Sequence, residues 1–242
     1  MRSRIQSLEL HTSPSTKTHL IRGGSLKTQR QDLQYGSFQA GLRGAARYTG
    51  GTALSFMLHY NASEGLNMDV LNMGGNGSEA RVSYTVNGEW PAQDTVTNYT
   101  VLEAAGLDPW GGYLDYRMQW NETDFAAFID GNETRAVTSS ERSVPMAGQP
   151  MFLRSWSTGD EYYMDGPPGP NGSRSRVLYV RSFFNSSAMT EGEHRNFDRR
   201  CGDAEFCSID DMSLRGATAY GEASKEPWVL RLHKGRIREN AG

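Results

Sequence analysis

The feature that most limits the fold of this chain is the period of its apolar residues, which is two. Tyr113–Asn121 (YLDYRMQWN), Arg81–Val86 (RVSYTV), Phe125–Asp130 (FAAFID) and Val177–Phe184 (VLYVRSFF) are short runs rich in β-branched and aromatic residues. Successive side chains on a strand point to opposite faces, so such alternation suits half-buried strands and not helices. The runs are separated by residues that tolerate positive φ. Asp130-Gly131-Asn132 sits between two of them as a hairpin signal, and Asn87-Gly88 closes another strand in the same way. Gly166-Pro167-Pro168-Gly169-Pro170-Asn171-Gly172 cannot continue a strand and is expected as an exposed loop. Only one short helix, near Met189–Phe197, is expected. Many short strands at this spacing predict an all-β protein, a sandwich or jelly roll of two antiparallel sheets.

At 242 residues the chain fits one large all-β domain or two small ones, and 37% hydrophobic content is enough for a substantial core. We expect 1–20 as a ragged lead-in, 21–187 as the sandwich, 188–215 as a cysteine-containing extension and 216–242 as a polar tail. Residues 1–50 carry eight Lys/Arg against two acids and 225–242 five against two, so with a net charge of −3 the middle is strongly acidic. Basic residues confined to the flanks and not interleaved with aromatics do not make a nucleic-acid binder, so no nucleic-acid partner is expected. No window approaches the roughly 18 apolar residues of a membrane span.

Seven of the twelve asparagines stand in N-x-[ST] sequons: Asn61, Asn76, Asn98, Asn121, Asn132, Asn171 and Asn185. Chance would place about two there, so the excess points to a secreted or cell-surface glycoprotein. The N-terminal residues have no apolar signal region, and the export signal is expected to lie outside this sequence. Cys201 and Cys207 enclose five residues and, in an oxidising compartment, read as a local disulfide; two free thiols or a metal pair are the alternatives. The five histidines have no metal spacing, and no phosphate loop, dinucleotide glycine pattern or zincin motif is present, so no metal and no cofactor are expected.

The order of segments adds a family resemblance. Gly23–Ala40 reads GGSLKTQRQDLQYGSFQA, followed by the apolar strand TALSFMLHY and then GLNMDVLNMG. YRMQWNETDFAAFIDGNETR, and then PMFLRSWSTGDEYYMDGPP with VLYVRSFFNSS, come further on. In this order the segments resemble fungal members of glycoside hydrolase family 16, in the concanavalin A-like lectin/glucanase superfamily, over residues 21–187. The resemblance implies a retaining β-glucan hydrolase or transglycosylase scaffold. Its catalytic strand would carry E-x-D-x-E or the bulged E-x-D-x-x-E, because two carboxyls about 5–5.5 Å apart serve as nucleophile and acid/base. On a strand, residues i, i+2 and i+4 share a face, and a bulge returns the last Glu to it.

Laid on the bulged pattern, this chain gives Asn67, Asp69 and Asn72; the unbulged register gives Gly65, Asn67 and Asp69. Neither yields two glutamates, and Asn is neither a nucleophile nor a proton donor near neutral pH. Glu64 lies at an odd offset from Asp69 and is expected on the other side of the strand, leaving Glu79 and Glu89 as carboxylates another strand could supply. Sugar rings stack on aromatic faces, so Trp156, Trp90, Trp110, Tyr162 and Tyr163 are candidate binding residues, while Trp120 alternates into the core. The leading expectation is a secreted or cell-surface domain that binds β-glucan or a related wall polysaccharide with lost or weak hydrolase activity. Two alternatives stand beside it: an active glycosidase or transglycosylase using Asp69 with a carboxylate from another strand, and an extracellular fragment of a larger fungal membrane protein.

Overall fold

The computed structural model describes residues 7–16, 20–45, 51–73, 77–88, 99–102, 104–138, 144–188, 190–192 and 195. Among the described residues, twelve strands form two six-stranded antiparallel sheets. In chain order they are β1 (Leu8–Thr12), β2 (Gly24–Lys27), β3 (Leu33–Arg43), β4 (Thr52–Asn61), β5 (Glu64–Asn72) and β6 (Ser78–Thr85). There follow β7 (Tyr99–Val101), β8 (Leu114–Trp120), β9 (Asp124–Ile129), β10 (Asn132–Thr138), β11 (Met151–Trp156) and β12 (Ser173–Ser186). One sheet has the order β1-β12-β3-β8-β9-β10 and the other β2-β11-β4-β5-β6-β7.

The predicted period of two is what packs these sheets. Along β8 the burial alternates strictly, with Leu114, Tyr116, Met118 and Trp120 turned inward. They meet Leu54, Phe56, Leu66, Met68, Val70 and Val82 of the facing sheet in one core cluster. Trp120 is in the core as expected, 1% exposed, and its indole N–H donates to the Pro145 carbonyl at 2.8 Å. The hairpin at Asp130-Gly131 also forms as read, with φ of 49° and 79° linking β9 to β10.

Two local features were not anticipated. Residues 1–20 contain β1, which pairs along β12 from Leu8 opposite Val177 to Thr12 opposite Ser173. Leu10 and Thr12 are buried, so the segment alternates like the other strands despite its polar neighbours. In β3 the residue pair Tyr35 and Gly36 makes a bulge against β12, with φ of 45° and 150°. A side chain at Gly36 would start 2.1 Å from the Phe183 carbonyl oxygen, which is why glycine is needed there. The proline-rich stretch is a loop, but Gly166 and Pro168 are buried, with Pro167 lying against Gly51. The helix expected at Met189–Phe197, together with Cys201, Cys207 and the two C-terminal segments, falls largely or wholly outside the described residues.

Candidate functional site

The second sheet turns one face to the core and the other outward, and β5 carries Asp69 on the outward face. Its pairing with β4 and β6 runs from Gly65 to Asn72 without a shift. The bulge that would bring Asn72 beside Asp69 is therefore absent, and Asn72 lies on the opposite side of the strand, 1% exposed between Thr52 and Ser78. This corrects the bulged reading. In the regular strand the side chains flanking Asp69 on its own face are Asn67 and Leu71. Glu64 faces away, as its offset requires, and its carboxylate accepts from the backbone N–H of Met146 at 2.9 Å and Ala147 at 2.7 Å.

Cross-strand pairing arranges the outward face in rows. Phe152, Met57, Asn67 and Ser83 form one row, ending at Lys27 on the edge strand. Arg154, Ser55, Asp69 and Arg81 form the next. Trp156, Ala53, Leu71 and Glu79 form the third. The first row is half-exposed along Phe152, Met57 and Asn67, whereas Ser55, Asp69, Ala53 and Leu71 are buried.

The cover over the buried rows comes from a single helical turn, α1 (Glu161–Met164). Asp160 caps it, accepting from the N–H groups of Tyr162 at 2.9 Å and Tyr163 at 2.6 Å. Asp165 ends it in the left-handed conformation with φ of 58°. The turn drives Met164 into a small second cluster with Ala53, Leu71 and Met73, flanked by Trp156 and Tyr163. Burying Met164 and Leu71 in this way contributes about 1.5–3 kcal/mol each. The sequence signal for the turn is the capping Asp160 between Gly159 and the Asp165-Gly166 stop.

Asp69 is 4% exposed and fully engaged. The Ser55 hydroxyl donates to Oδ1, Asn67 Nδ2 donates to Oδ2 at 2.6 Å, and the Tyr163 hydroxyl donates to Oδ2 at 3.4 Å. Burial pushes the carboxyl above its ordinary pKa, and these three donors work against that rise. Burial and the nearby Asp69 push the Tyr163 hydroxyl up to about 12. Trp156 donates its indole N–H to Ser55 Oγ at 2.5 Å and packs beside the Tyr163 ring, centroids 6.3 Å apart. Arg81 sits over the Tyr163 ring, 4.7 Å from its centroid, and holds Glu79 Oε2 through Nε at 3.1 Å and Nη2 at 2.8 Å.

Trp156, Tyr163, Asn67 and Asp69 are thus brought together. Trp110 is not: it is 8% exposed and packs into the core against Gly44, because the turn at 108–112 folds inward. Tyr162 projects from α1 at 93% exposure, and Trp90 and Glu89 lie outside the described residues. Ser55, Arg81, Phe152 and Met57 were missed. Ser55 alone had a signal, as a lone hydroxyl inside the apolar run TALSFML. Among the described residues no group of three or more His, Cys, Asp or Glu side chains is placed to hold a metal. Chemically, the face offers one buried carboxyl that already accepts three hydrogen bonds, a half-exposed aromatic row, and amide and hydroxyl groups suited to sugar hydroxyls.

Residues 3–168 match the model of a family described as glycosyl hydrolases family 16. The chain belongs to glycosyl hydrolase family 16. The same fold is seen in the β-glucanase of Bacillus licheniformis, with a TM-score of 0.59 at 15% identity over 73% of this chain and 78% of that one. A prokaryotic β-1,3-1,4-glucanase (lichenase) derived from a mouse hindgut metagenome gives 0.57 at 16% identity over 72% and 78%. The β-agarase A of Zobellia galactanivorans gives 0.56 at 14% identity over 73% and 71%. No curated relative matches the chain. Membership in family 16 makes a polysaccharide the ligand class of this domain, and no helix among the described residues is long and apolar enough to cross a membrane.

Proposed function

We propose that this family 16 domain binds a β-glucan or related wall polysaccharide on the outward face of its second sheet and has lost the retaining hydrolytic step. The observation that carries the reading is the neighbourhood of Asp69. An amide, Asn67, donates to its carboxyl at 2.6 Å, and Leu71 occupies the other same-face position. Retaining hydrolysis needs a second carboxyl about 5–5.5 Å away, free to attack or to give a proton. Phe152, Met57 and Asn67 offer a half-exposed row for a sugar ring. Exposure of the sequon residues Asn61, Asn132, Asn171 and Asn185 supports a glycosylated, exported protein.

The active-enzyme reading rests on Glu79. It lies diagonal to Asp69 on the same face, although its carboxylate is held by Arg81. The two readings separate in one experiment. Laminarin-type and mixed-linkage glucans are incubated with the protein, and new reducing ends and transfer products are measured beside binding. The proposal expects saturable binding, no turnover, and at least tenfold weaker binding in Phe152→Ala. Turnover that disappears in both Asp69→Asn and Glu79→Gln would establish the enzyme instead; absence of binding to every glucan would overturn the ligand assignment.

A further inference from the structure

The part of the outward face that lies clear of α1 carries positive charge. Strand β11 divides its side chains plainly: Met151, Leu153 and Ser155 are buried inward, while Phe152, Arg154 and Trp156 face out, Arg154 fully exposed. Lys27 stands on the edge strand directly opposite Phe152, and its Nζ lies over that ring, 5.2 Å from the centroid. Arg154 follows on the same side of β11, about 6.5–7 Å further along the strand. On β4, Met57 lies opposite Phe152, and His59, two residues on, meets the Phe152 ring edge-on at 6.5 Å. Lys27, Phe152, Met57 and Arg154 therefore share one face and one end of it.

The carboxylates around this face are already committed. Asp69 lies beneath the cover and accepts from Ser55, Asn67 and Tyr163; Glu79 is held by Arg81; Asp160 caps α1. Neither Lys27 nor Arg154 has an ion pair among the described residues. The positive field of Arg154 reaches His59, whose imidazole is pushed below its ordinary pKa by burial first and by Arg154 second. Two cations without a counter-charge flank the half-exposed aromatic row in a chain whose net charge is −3. Asn61, the sequon on β4, lies beyond Met57 on the side away from Arg154, so a glycan there leaves this end of the row open.

We infer that the polysaccharide taken by this face is acidic, with a uronic acid ring on the Phe152 and Met57 strip and its carboxylate held by Arg154 and Lys27. The inference rests on the reading of the face as a glycan-binding surface and narrows its ligand. A uronic acid carries its carboxylate at the rim of the ring, so a ring lying flat on Phe152 extends the group sideways toward the long side chain of the next row. The guanidinium fork matches the two carboxylate oxygens as a pair, and the exposed, flexible Lys27 adds a point charge from the edge strand. A neutral glucan uses the same strip and leaves both cations to water.

The test is calorimetric titration of the full chain, with N-glycans removed enzymatically, at fixed pH and ionic strength. Laminarin and a mixed-linkage glucan are each used in three forms: unmodified, with primary hydroxyls oxidised to carboxylates, and with primary hydroxyls sulfated. The carboxylated forms are expected to bind at least tenfold tighter than the unmodified ones. That ratio should fall below threefold in Arg154→Gln, decrease in Lys27→Gln, and keep its wild-type value in Arg174→Gln, a basic side chain on the other sheet. Thermal unfolding checks that the variants fold. Equal affinity for carboxylated and unmodified glucans overturns this inference and leaves the glycan-binding face standing, whereas no binding of any form overturns both. Sulfated forms that match the carboxylated ones overturn the uronate assignment, and a tenfold ratio that survives Arg154→Gln overturns the site.

Discussion

Replacing Asp69 by Asn and by Ala should have opposite consequences, and the difference follows from three hydrogen bonds. In Asp69→Ala the Ser55 hydroxyl, the Asn67 amide and the Tyr163 hydroxyl all lose their acceptor. Ser55 is 2% exposed and cannot turn to water, which alone costs about 1–3 kcal/mol. Asn67 and Tyr163 are half-buried and recover part of their loss, so the sum, less the relief from removing a buried charge, is about 2–4 kcal/mol. Asp69→Asn keeps the volume and an acceptor oxygen for Ser55. Its new amide meets Asn67, whose Oδ1 has no partner, and a half-turn of the Asn67 amide restores the bond. The buried charge is gone, so this variant should match or exceed the wild type by about 1 kcal/mol at pH 7.

The pH dependence sharpens the test. Burial raises the Asp69 pKa in the folded state, so the folded chain holds this proton longer than the unfolded chain does. Stability from this group is therefore complete below the unfolded value of about 3.9 and declines as pH rises through the folded value. Urea unfolding of wild type and Asp69→Asn across pH 4–8 should show a difference that grows in favour of the variant from about pH 4 upward. Contributions from other carboxylates cancel in that difference. A variant less stable than wild type by more than about 2 kcal/mol at pH 7, with a gap that narrows toward pH 4, would refute the reasoning.

Three further outcomes are expected. Trp110→Ala should cost about 3–5 kcal/mol in urea unfolding, because the ring fills the space above Gly44; a loss under about 1 kcal/mol would return Trp110 to the surface. His59 should titrate below its ordinary value in an NMR pH series, through burial first and Arg154 second, and Arg154→Gln should move it upward. Gly36→Ala should cost at least about 2 kcal/mol, since the new carbon would meet the Phe183 carbonyl at a strained φ; an unchanged unfolding midpoint would contradict the bulge.

Residues whose environment is set by strand period alone were legible in the sequence. Trp120 sits in step with Tyr116 and Met118, and its burial needed no knowledge of the rest of the chain. Trp110 has no such frame: it lies in a turn, and its direction depends on contact with Gly44, more than sixty residues earlier. Asn72 shows the other limit. The family pattern permitted a bulge after Asp69, and only the ladder to β4 and β6 reveals that none forms. The cover over Asp69 was hidden for a similar reason, because α1 is too short to show a helical period and is held by a side-chain cap and the burial of Met164. β1 was missed because its five residues carry a charge and an imidazole on the outward face.

The pairing of β3 with β12 has a consequence for how the chain reaches this fold. Phe38 lies opposite Ser182, and the whole of β3 from Leu33 to Arg43 is bordered on one side by the last strand. During synthesis β3 emerges early, yet that edge stays unpaired until nearly all of the sandwich has been made. Contacts so distant along the chain slow folding, and an open strand edge invites pairing with other molecules. Chains released before Ser173 should therefore aggregate and not form a smaller stable sandwich, whereas the complete pair of sheets closes around a strand that had waited longest for its neighbour.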